Sequence, residues 1–271
     1  MVERPDGKTP IVQAGAYGRY IGKIDLTFND AGEVVSFNGD TSEIDASVTP
    51  DAKVAARVTE LAKPLDEIRK EVVGETTVPI DGSRETCRSQ ECTMGVLVAD
   101  AMLDRVASQG VQIAIQNGGG LRSSIDEGPV TMGEVLTVLP FQNTLSTFQL
   151  SGKDVLAALE NGVSQVEEGA GRFPQVAGIR YTADFSAPAG ERIKSVEVGN
   201  DGSWAPLDPD ATYGVVSNDY MRQGGDGYAV FAENATNVYD YGPSLENVVA
   251  EYITKTGPVT PKLDGRVTVQ K

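Results

Sequence analysis

The sequence predicts a mixed α/β (α+β) domain, with mixed sheets flanked by helices, that follows a connector helix and a β-hairpin. Three observations favour this class. From about residue 75 onward, the spacing of apolar residues alternates between the helical and the strand period. Glycine-rich loops follow two of the predicted strands. The chain has 271 residues, 40% of them apolar, which suffices for one large domain or for one domain plus a fragment.

The first 74 residues predict a hairpin and a helix. Residues 11–37 form two strand-like runs around a turn at 29–32, and so small a hairpin has too little around it to fold alone. We predict Thr49 as the N-cap and Pro50 as the first residue of a helix that Gly74 ends. A proline in the middle favours a connector helix lying on a domain over a coiled coil. Its single narrow apolar stripe comprises Val54, Val58, Leu61, Leu65, Ile68 and Val72.

The remaining residues alternate helices with strands. Four helices are predicted from their start and stop signals. The first covers 94–109, with Thr93 as its cap and Gly110 at its end, and the second runs from the capping box of Thr131 and Glu134 to Pro140. The third covers 153–166 after the cap of Ser151 and Asp154, and the last runs from the cap Ser244 to Gly257. Strands are predicted at 111–116, 144–150, 179–185, 192–198, 212–217 and 266–270, with a hairpin turn at 200–202. Together these elements predict one domain of about 200 residues.

Composition excludes several functional classes. The 23 basic and 39 acidic residues give a net charge of −16, which argues against binding of nucleic acid polymers or anionic membranes. An anionic ligand would therefore need locally placed arginines. No membrane span is predicted, because no run approaches the ~18 apolar residues that a span requires. The sequence contains no histidine, which Ser-His-Asp and Cys-His systems and most catalytic zinc sites need.

The two cysteines, Cys87 and Cys92, lie in the segment CRSQEC. Four intervening residues are too many for a CxxC redox or zinc motif, and no second pair exists to complete a metal site. We therefore expect a local disulfide. Closing so short a loop contributes only about 2 kcal/mol of chain entropy, so its main role is to shape the loop that carries Arg88. A disulfide indicates an oxidising compartment, which makes the chain periplasmic, cell-surface or secreted.

Glycine-rich loops follow two predicted strands, at QNGGGLR (116–122) and QGGDGY (223–228). Ligands of α/β sheets gather at loops beyond the strand ends, although either loop taken alone indicates only a tight turn. The loops belong, however, to a longer series of four motifs. In chain order these are DGSRETCRSQECTMGVLVADAML, NGGGLRSSID, TMGEVLTVLPFQNTLSTFQLSG and SNDYMRQGGDGY.

This series resembles the C-terminal domain of the 5′-nucleotidase family, and the cysteine loop is similar to that of the ecto-5′-nucleotidases in particular. The segment TPIVQAGAYGRYIGKIDLTF resembles the final hairpin of the family's N-terminal metallophosphatase domain. The resemblance covers the whole chain but only the second half of a family member. It implies a hairpin remnant of the metal domain at 1–45, a connector helix at 46–74 and the 5′-nucleotidase C-terminal domain fold at 75–271.

The resemblance also implies a substrate site, because the C-terminal domain of the family holds the nucleoside. Phe141 and Tyr220 match the aromatic pair that sandwiches the base, and Asp226 matches the aspartate that binds ribose. Tyr220 replaces the phenylalanine of the animal enzymes, and either ring can stack. Gln142 and Asn143 stand where a glycine often follows the phenylalanine, which leaves the base preference open. The matched residues that contact ribose and the phosphate side are Arg88, Asn117, Gly120 and Arg122.

Catalysis in the family belongs to two divalent metal ions in the N-terminal domain, held in part by histidines. A chain without histidine cannot carry those motifs, so we expect no metal ion, no cofactor and no catalytic residue here. The chain is expected to be a C-terminal fragment that binds a nucleoside or nucleoside monophosphate. Its parent is expected to hydrolyse nucleoside 5′-monophosphates, or else cyclic nucleotides or nucleotide sugars.

Two other functional classes remain open. One is a stand-alone hydrolase of a different mechanism, which would release phosphate from AMP in the presence of EDTA. The other is a non-catalytic dimerisation or interaction module, which would form a ligand-independent homodimer without nucleoside affinity.

Overall fold

A computed structural model describes residues 2–3, 10–200 and 202–270. The chain divides into two compact units, Met1–Lys63 and Pro64–Lys271. The boundary between them falls inside a helix. The three-part division expected from the sequence, with limits after residues 45 and 74, stays a prediction.

The first unit contains short β-pairings. Its strands are β1 (Val2–Glu3), β2 (Pro10–Ile11), β3 (Tyr20–Phe28) and β4 (Val34–Glu43). β3 and β4 pair antiparallel, which confirms the predicted hairpin. In its turn, the N–H of Gly32 donates to the carbonyl of Asn29 at 2.9 Å. The side-chain Oδ1 of Asn29 accepts the N–H groups of Ala31 and Glu33, as expected for an asparagine that opens a turn.

Helix α1 spans Ala52–Lys70 and begins with a different cap from the predicted one. The carboxylate of Asp51 accepts the backbone N–H groups of Lys53 and Val54 at 2.9 and 3.0 Å. The prediction of Thr49 as N-cap, with Pro50 inside the first turn, was therefore wrong. Aspartate and threonine are both good caps, and Asp51 stands two residues after Thr49.

The end of α1 also differs from the prediction. The helix stops at Lys70, and strand β5 (Val72–Thr76) contains the glycine that was expected to end it. A Cβ at Gly74 would lie 2.6 Å from Cγ2 of Ile253. This glycine therefore allows the strand to pack closely against a later helix.

The second unit holds the other elements. Its strands after β5 are β6 (Ile113–Asn117), β7 (Gly128–Thr131), β8 (Leu145–Ser151), β9 (Pro174–Ala177), β10 (Ile179–Asp184), β11 (Ile193–Asn200), β12 (Ser203–Pro206), β13 (Thr212–Asn218), β14 (Thr236–Tyr239) and β15 (Val267–Gln270). Its helices are α2 (Arg84–Cys87), α3 (Thr93–Val106), α4 (Met132–Val138), α5 (Gly152–Val163), α6 (Asp219–Arg222), α7 (Ala229–Glu233) and α8 (Leu245–Thr256). The predicted mixed α/β class is confirmed.

These strands form two larger sheets and one pair. The five-stranded sheet has the order β14-β8-β13-β6-β9, and only β13 and β6 run parallel. The four-stranded sheet has the order β12-β11-β10-β15, and β5 pairs with β7. The predicted turn at 200–202 contains Asp201, which lies outside the described residues, but β11 and β12 on either side pair antiparallel.

Apolar cores cover both faces of the five-stranded sheet. Ala114 of β6 and Val216 of β13 belong to a core that includes side chains of α3, α4 and α8. Their neighbours Ile113 and Val215 belong to a second core, to which α5 contributes. Alternate residues of one strand thus face opposite cores, as the strand period requires. No helix of the described residues combines the length and the apolar character needed to cross a membrane.

The predicted helix starts of the second unit had mixed outcomes. The capping box of Thr131 and Glu134 is confirmed, and Ser151 caps α5 as predicted. Helix α3, however, begins at Thr93, and its N-cap is Cys92, whose Sγ accepts the N–H of Gly95 at 3.3 Å. Thr93 was therefore wrongly predicted as the cap. Its hydroxyl instead accepts a backbone N–H from the preceding loop.

Candidate functional site

One edge of the five-stranded sheet collects four loops. β6 and β13 run parallel, so the loops that follow them, at 118–122 and 219–228, leave at the same edge. β8 is antiparallel to β13, and β9 is antiparallel to β6, so the segments before them, 141–144 and 169–173, reach this edge as well. Strand direction alone therefore brings the predicted motifs together, although they are far apart in the sequence.

Asp226 lies at the centre of this edge. Its Oδ2 accepts a hydrogen bond from Nδ2 of Asn117 at 2.7 Å, and its Oδ1 accepts one from the hydroxyl of Tyr220 at 3.0 Å. Its backbone is left-handed, with φ 54° and ψ 23°, and it stands between Gly225 and Gly227. Aspartate tolerates this conformation better than most residues do. The structure thus joins three of the predicted site residues directly.

The hydroxyl of Tyr220 makes two bonds to the same residue. Besides donating to the carboxylate, it accepts the backbone N–H of Asp226 at 3.1 Å. Burial raises the pKa of this hydroxyl, and its bond to the Asp226 carboxylate raises it further, so it remains protonated and a donor at neutral pH. The side chain of Tyr220 is nonetheless 46% exposed. A Cβ at Gly225 would lie 2.6 Å from the ring, so the glycine is required beside it.

Buried amides fix the orientation of Asn117. Nδ2 of Asn218 donates to Oδ1 of Asn117 at 3.0 Å and to Oε1 of Gln116 at 2.9 Å. Because the Asn117 oxygen accepts this bond, its Nδ2 is directed to Asp226. Sequence reasoning missed Gln116 and Asn218. The available signal was that the apolar strands IAIQN and VVSN both end in buried amides.

Asn161 and Arg172 support the same loop from α5 and from the segment before β9. Nδ2 of Asn161 donates to the carbonyl of Asp226 at 3.2 Å, and Nη1 of Arg172 donates to Oδ1 of Asn161 at 3.1 Å. Neither residue was predicted for the site. No local pattern marks them, because their contacts span 65 and 11 residues.

Close packing requires glycine at each position of the loop 118–120. A Cβ at Gly118 would lie 2.0 Å from the carbonyl oxygen of Cys87, and one at Gly119 would lie 2.7 Å from Cα of Gly171. At Gly120, predicted as a contact residue, a Cβ would lie 2.4 Å from Nε2 of Gln116. Gly120 is buried, and its lack of a side chain leaves room for this amide.

The cysteine loop packs against the same glycines and holds a buried arginine. Cys87 and Cys92 form the predicted disulfide. Arg88 is only 8% exposed, and its Nη1 donates to the carbonyl of Gly169 at 3.1 Å. Its Nε has no hydrogen-bond partner among the described residues. Burial lowers the pKa of the Arg88 guanidinium, and the positive charges of Arg84 and Arg122 lower it further.

Phe141 and Arg122 complete the predicted set. Phe141 is 55% exposed, and the guanidinium carbon of Arg122 lies 5.7 Å from the centre of its ring, within the range of a cation–π contact. The loop of Phe141 is tied to that of Tyr220, since the N–H of Thr144 donates to Oδ1 of Asp219 and the N–H of Asp219 donates to the carbonyl of Thr144. Two exposed rings therefore stand on neighbouring loops.

This edge thus combines two exposed aromatic rings, the Asp226 carboxylate and the guanidinium groups of Arg88 and Arg122 in an acidic chain. Such a set suits a small ligand with a planar, a hydroxylated and an anionic part. Within the described residues, no group of three or more His, Cys, Asp or Glu side chains could hold a metal ion. A catalytic two-metal centre does not fit these residues. The second unit is a mixed α/β domain with a candidate ligand site at one sheet edge.

Comparison with known proteins agrees with this class. The family model described as 5′-nucleotidase, C-terminal domain, matches residues 72–233. The chain is 39% identical over 264 residues to the trifunctional nucleotide phosphoesterase protein YfkN of Bacillus subtilis (strain 168), covering 96% of this chain and 18% of that protein. It is 34% identical over 282 residues to human 5′-nucleotidase, covering 98% of this chain and 49% of that protein. The solved structure of a 5′-nucleotidase precursor from Thermus thermophilus matches with 40% identity and a TM-score of 0.76, and the match covers 100% of this chain and 54% of that one.

The chain therefore belongs to the 5′-nucleotidase family and contains the C-terminal domain of these enzymes. It spans about half the length of the human and Thermus proteins and less than a fifth of the Bacillus protein. The resemblance and the fold inferred from the sequence motifs are confirmed.

Proposed function

We propose that this chain binds a nucleoside or nucleoside 5′-monophosphate at the sheet edge around Asp226. It would serve as the substrate-binding part of an enzyme that dephosphorylates nucleoside 5′-monophosphates. The observation that carries the proposal is the position of the Asp226 carboxylate, which is held by Asn117 and Tyr220 where the loops meet. The names of the relatives, a nucleotide phosphoesterase and a 5′-nucleotidase, support the choice of ligand.

The ribose would bind to Asp226. An ionised carboxylate offers about four acceptor positions on its two oxygens. Asn117 uses one position on Oδ2 and Tyr220 uses one on Oδ1, so each oxygen keeps an acceptor position for another donor. The two hydroxyls of a ribose are donors on adjacent carbons, and they match two adjacent acceptors.

The base would stack on the exposed rings of Phe141 and Tyr220. Base–aromatic stacking is worth about 1–3 kcal/mol per contact and tolerates different bases. The phosphate would lie near Arg88, together with Arg84 and Arg122, whose positive charges both act on the Arg88 guanidinium.

The two metal ions of the family reaction would belong to another part of the parent protein. The sequence contains no histidine to hold them, so hydrolysis would need that other part. Cyclic nucleotides and nucleotide sugars are the alternative substrates of the parent. The disulfide of Cys87 and Cys92 supports a periplasmic, cell-surface or secreted location, and the proposal does not require a homodimer.

A ligand screen of this chain by calorimetry and ligand-observed NMR, in buffer with EDTA, tests the proposal. Stacking at Phe141 and Tyr220 and charge-assisted bonds at Asp226 are offset by the cost of association, so the expected adenosine affinity is weak, from about millimolar to tens of micromolar. The matched control is Asp210→Asn. Asp210 is exposed and precedes β13 at the opposite edge of the sheet, so this variant should bind as the parent chain does. Absence of binding by all nucleosides and mononucleotides would refute the proposal.

A further inference from the structure

Tyr220 has a hydroxyl that base stacking does not use. A phenylalanine would present the same ring face to a base. The Tyr220 hydroxyl nevertheless closes a ring of two hydrogen bonds with a single residue, since it accepts the N–H of Asp226 at 3.1 Å and donates to its Oδ1 at 3.0 Å. This pair of bonds fixes the backbone and the carboxylate of Asp226 at the same time.

The Tyr220 hydroxyl holds the two groups of Asp226 that its other partners leave free, the N–H and Oδ1. Asp226 has a left-handed backbone, and it lies between two glycines, which restrict a chain least. Its other carboxylate oxygen is held by Asn117, and its carbonyl is held by Asn161. The Tyr220 hydroxyl is the contact that holds both Oδ1 and the N–H. Without it, Asn117 alone would hold the carboxylate, through Oδ2.

We propose that Tyr220 is a positioning residue that sets the preference of the site for a vicinal diol. Its hydroxyl holds the Asp226 carboxylate so that one free acceptor position of each oxygen faces the ligand. The base platform and the sugar acceptor are then one hydrogen-bonded unit. This inference rests on the proposed function, because it presupposes that Asp226 receives ribose hydroxyls.

The test compares Tyr220→Phe with the parent chain for adenosine and for 2′,3′-dideoxyadenosine, by calorimetry or ligand-observed NMR. The variant keeps the stacking ring and loses only the hydroxyl. We expect adenosine affinity to fall about 3- to 10-fold, less than the loss of one hydrogen bond to the carboxylate would cause, because the ribose hydroxyls keep their acceptor. The affinity for the dideoxynucleoside should not change, because that ligand has no hydroxyls for the carboxylate to bind.

Tyr213→Phe is the matched control. The hydroxyl of Tyr213 also accepts the N–H of an aspartate, Asp208, at 2.9 Å, but it lies near the opposite end of β13. Its removal should leave the affinity for both ligands unchanged. A second readout needs no ligand: in the amide NMR spectrum, Tyr220→Phe should shift the Asp226 resonance by loss of its acceptor, and Tyr213→Phe should not.

The outcomes separate this inference from the proposed function. Equal losses for both ligands in Tyr220→Phe, no loss for either, or an unmoved Asp226 amide resonance would overturn the positioning role while nucleoside binding stands. A parent chain that binds neither ligand would overturn both.

Discussion

Replacing Asp226 by asparagine should remove most of the ribose contribution to binding. Asparagine tolerates the left-handed backbone of this position, so the change tests the carboxylate and not the loop. The carboxylate accepts one bond from Asn117 and one from Tyr220, and it keeps one acceptor position on each oxygen. An amide has only one oxygen, and its NH₂ group would meet one of those two donors. At least one ribose hydroxyl then loses its acceptor.

The magnitude follows from this count. A hydrogen bond to a charged group contributes about 1.5–3 kcal/mol, so adenosine affinity should fall about 10- to 150-fold. The affinity for 2′,3′-dideoxyadenosine should hardly change. Ligand-observed NMR detects binding in the millimolar range and can follow both ligands with Asp226→Asn, with Asp210→Asn as the control. Equal losses for the two ligands would show that Asp226 only shapes the loop.

Three further outcomes are expected. With zinc, manganese or magnesium supplied at neutral pH, this chain should not hydrolyse AMP, because its sequence has no histidine to build the metal centre; metal-dependent turnover that survives repurification would contradict this. The oxidised protein should show no thiol titratable with a thiol reagent, and two free thiols would contradict the disulfide. Reduction of Cys87–Cys92 should lower the free energy of AMP binding by more than it lowers the free energy of unfolding, because the loop positions Arg88. Burial raises the pKa of Glu91 above its ordinary 4.5 although backbone N–H groups donate to it, so the folded state holds this proton more tightly than the unfolded state does. The free energy of unfolding of the parent chain relative to Glu91→Gln should therefore decrease as the pH rises from 4.5 through the raised pKa, and level off above it. A difference that is flat or increases across that window would refute the assignment.

The sequence predicted those elements whose signals are local. The capping box of Thr131 and Glu134 and the turn at 29–32 are each specified by residues within one turn, and both formed as expected. The short strands β5, β7, β9 and β14 were not predicted. They have four or five residues each, and they exist because of pairing with distant partners, for which a single sequence carries no periodic signal.

In the candidate site, too, residues marked by a local motif were predicted, and residues whose role depends on distant contacts were not. Phe141, Tyr220 and Asp226 were found because they lie in motifs that resemble a known family. Asn161, which donates to the Asp226 carbonyl, and Asn218, which orients Asn117, were not predicted, because their roles depend on which loops the sheet brings to one edge. No role was predicted for the Tyr220 hydroxyl, because its bonds to Asp226 form only in the folded loop.

The most direct test of the central claim is an amide NMR titration of the metal-free chain with AMP. Binding at the sheet edge predicts that chemical-shift changes concentrate in four segments, 118–122, 141–144, 169–173 and 219–228, together with Arg88. The residues that precede β13 at the opposite edge, 208–211, should not respond. Changes centred on those residues, or no changes at millimolar AMP, would contradict the account.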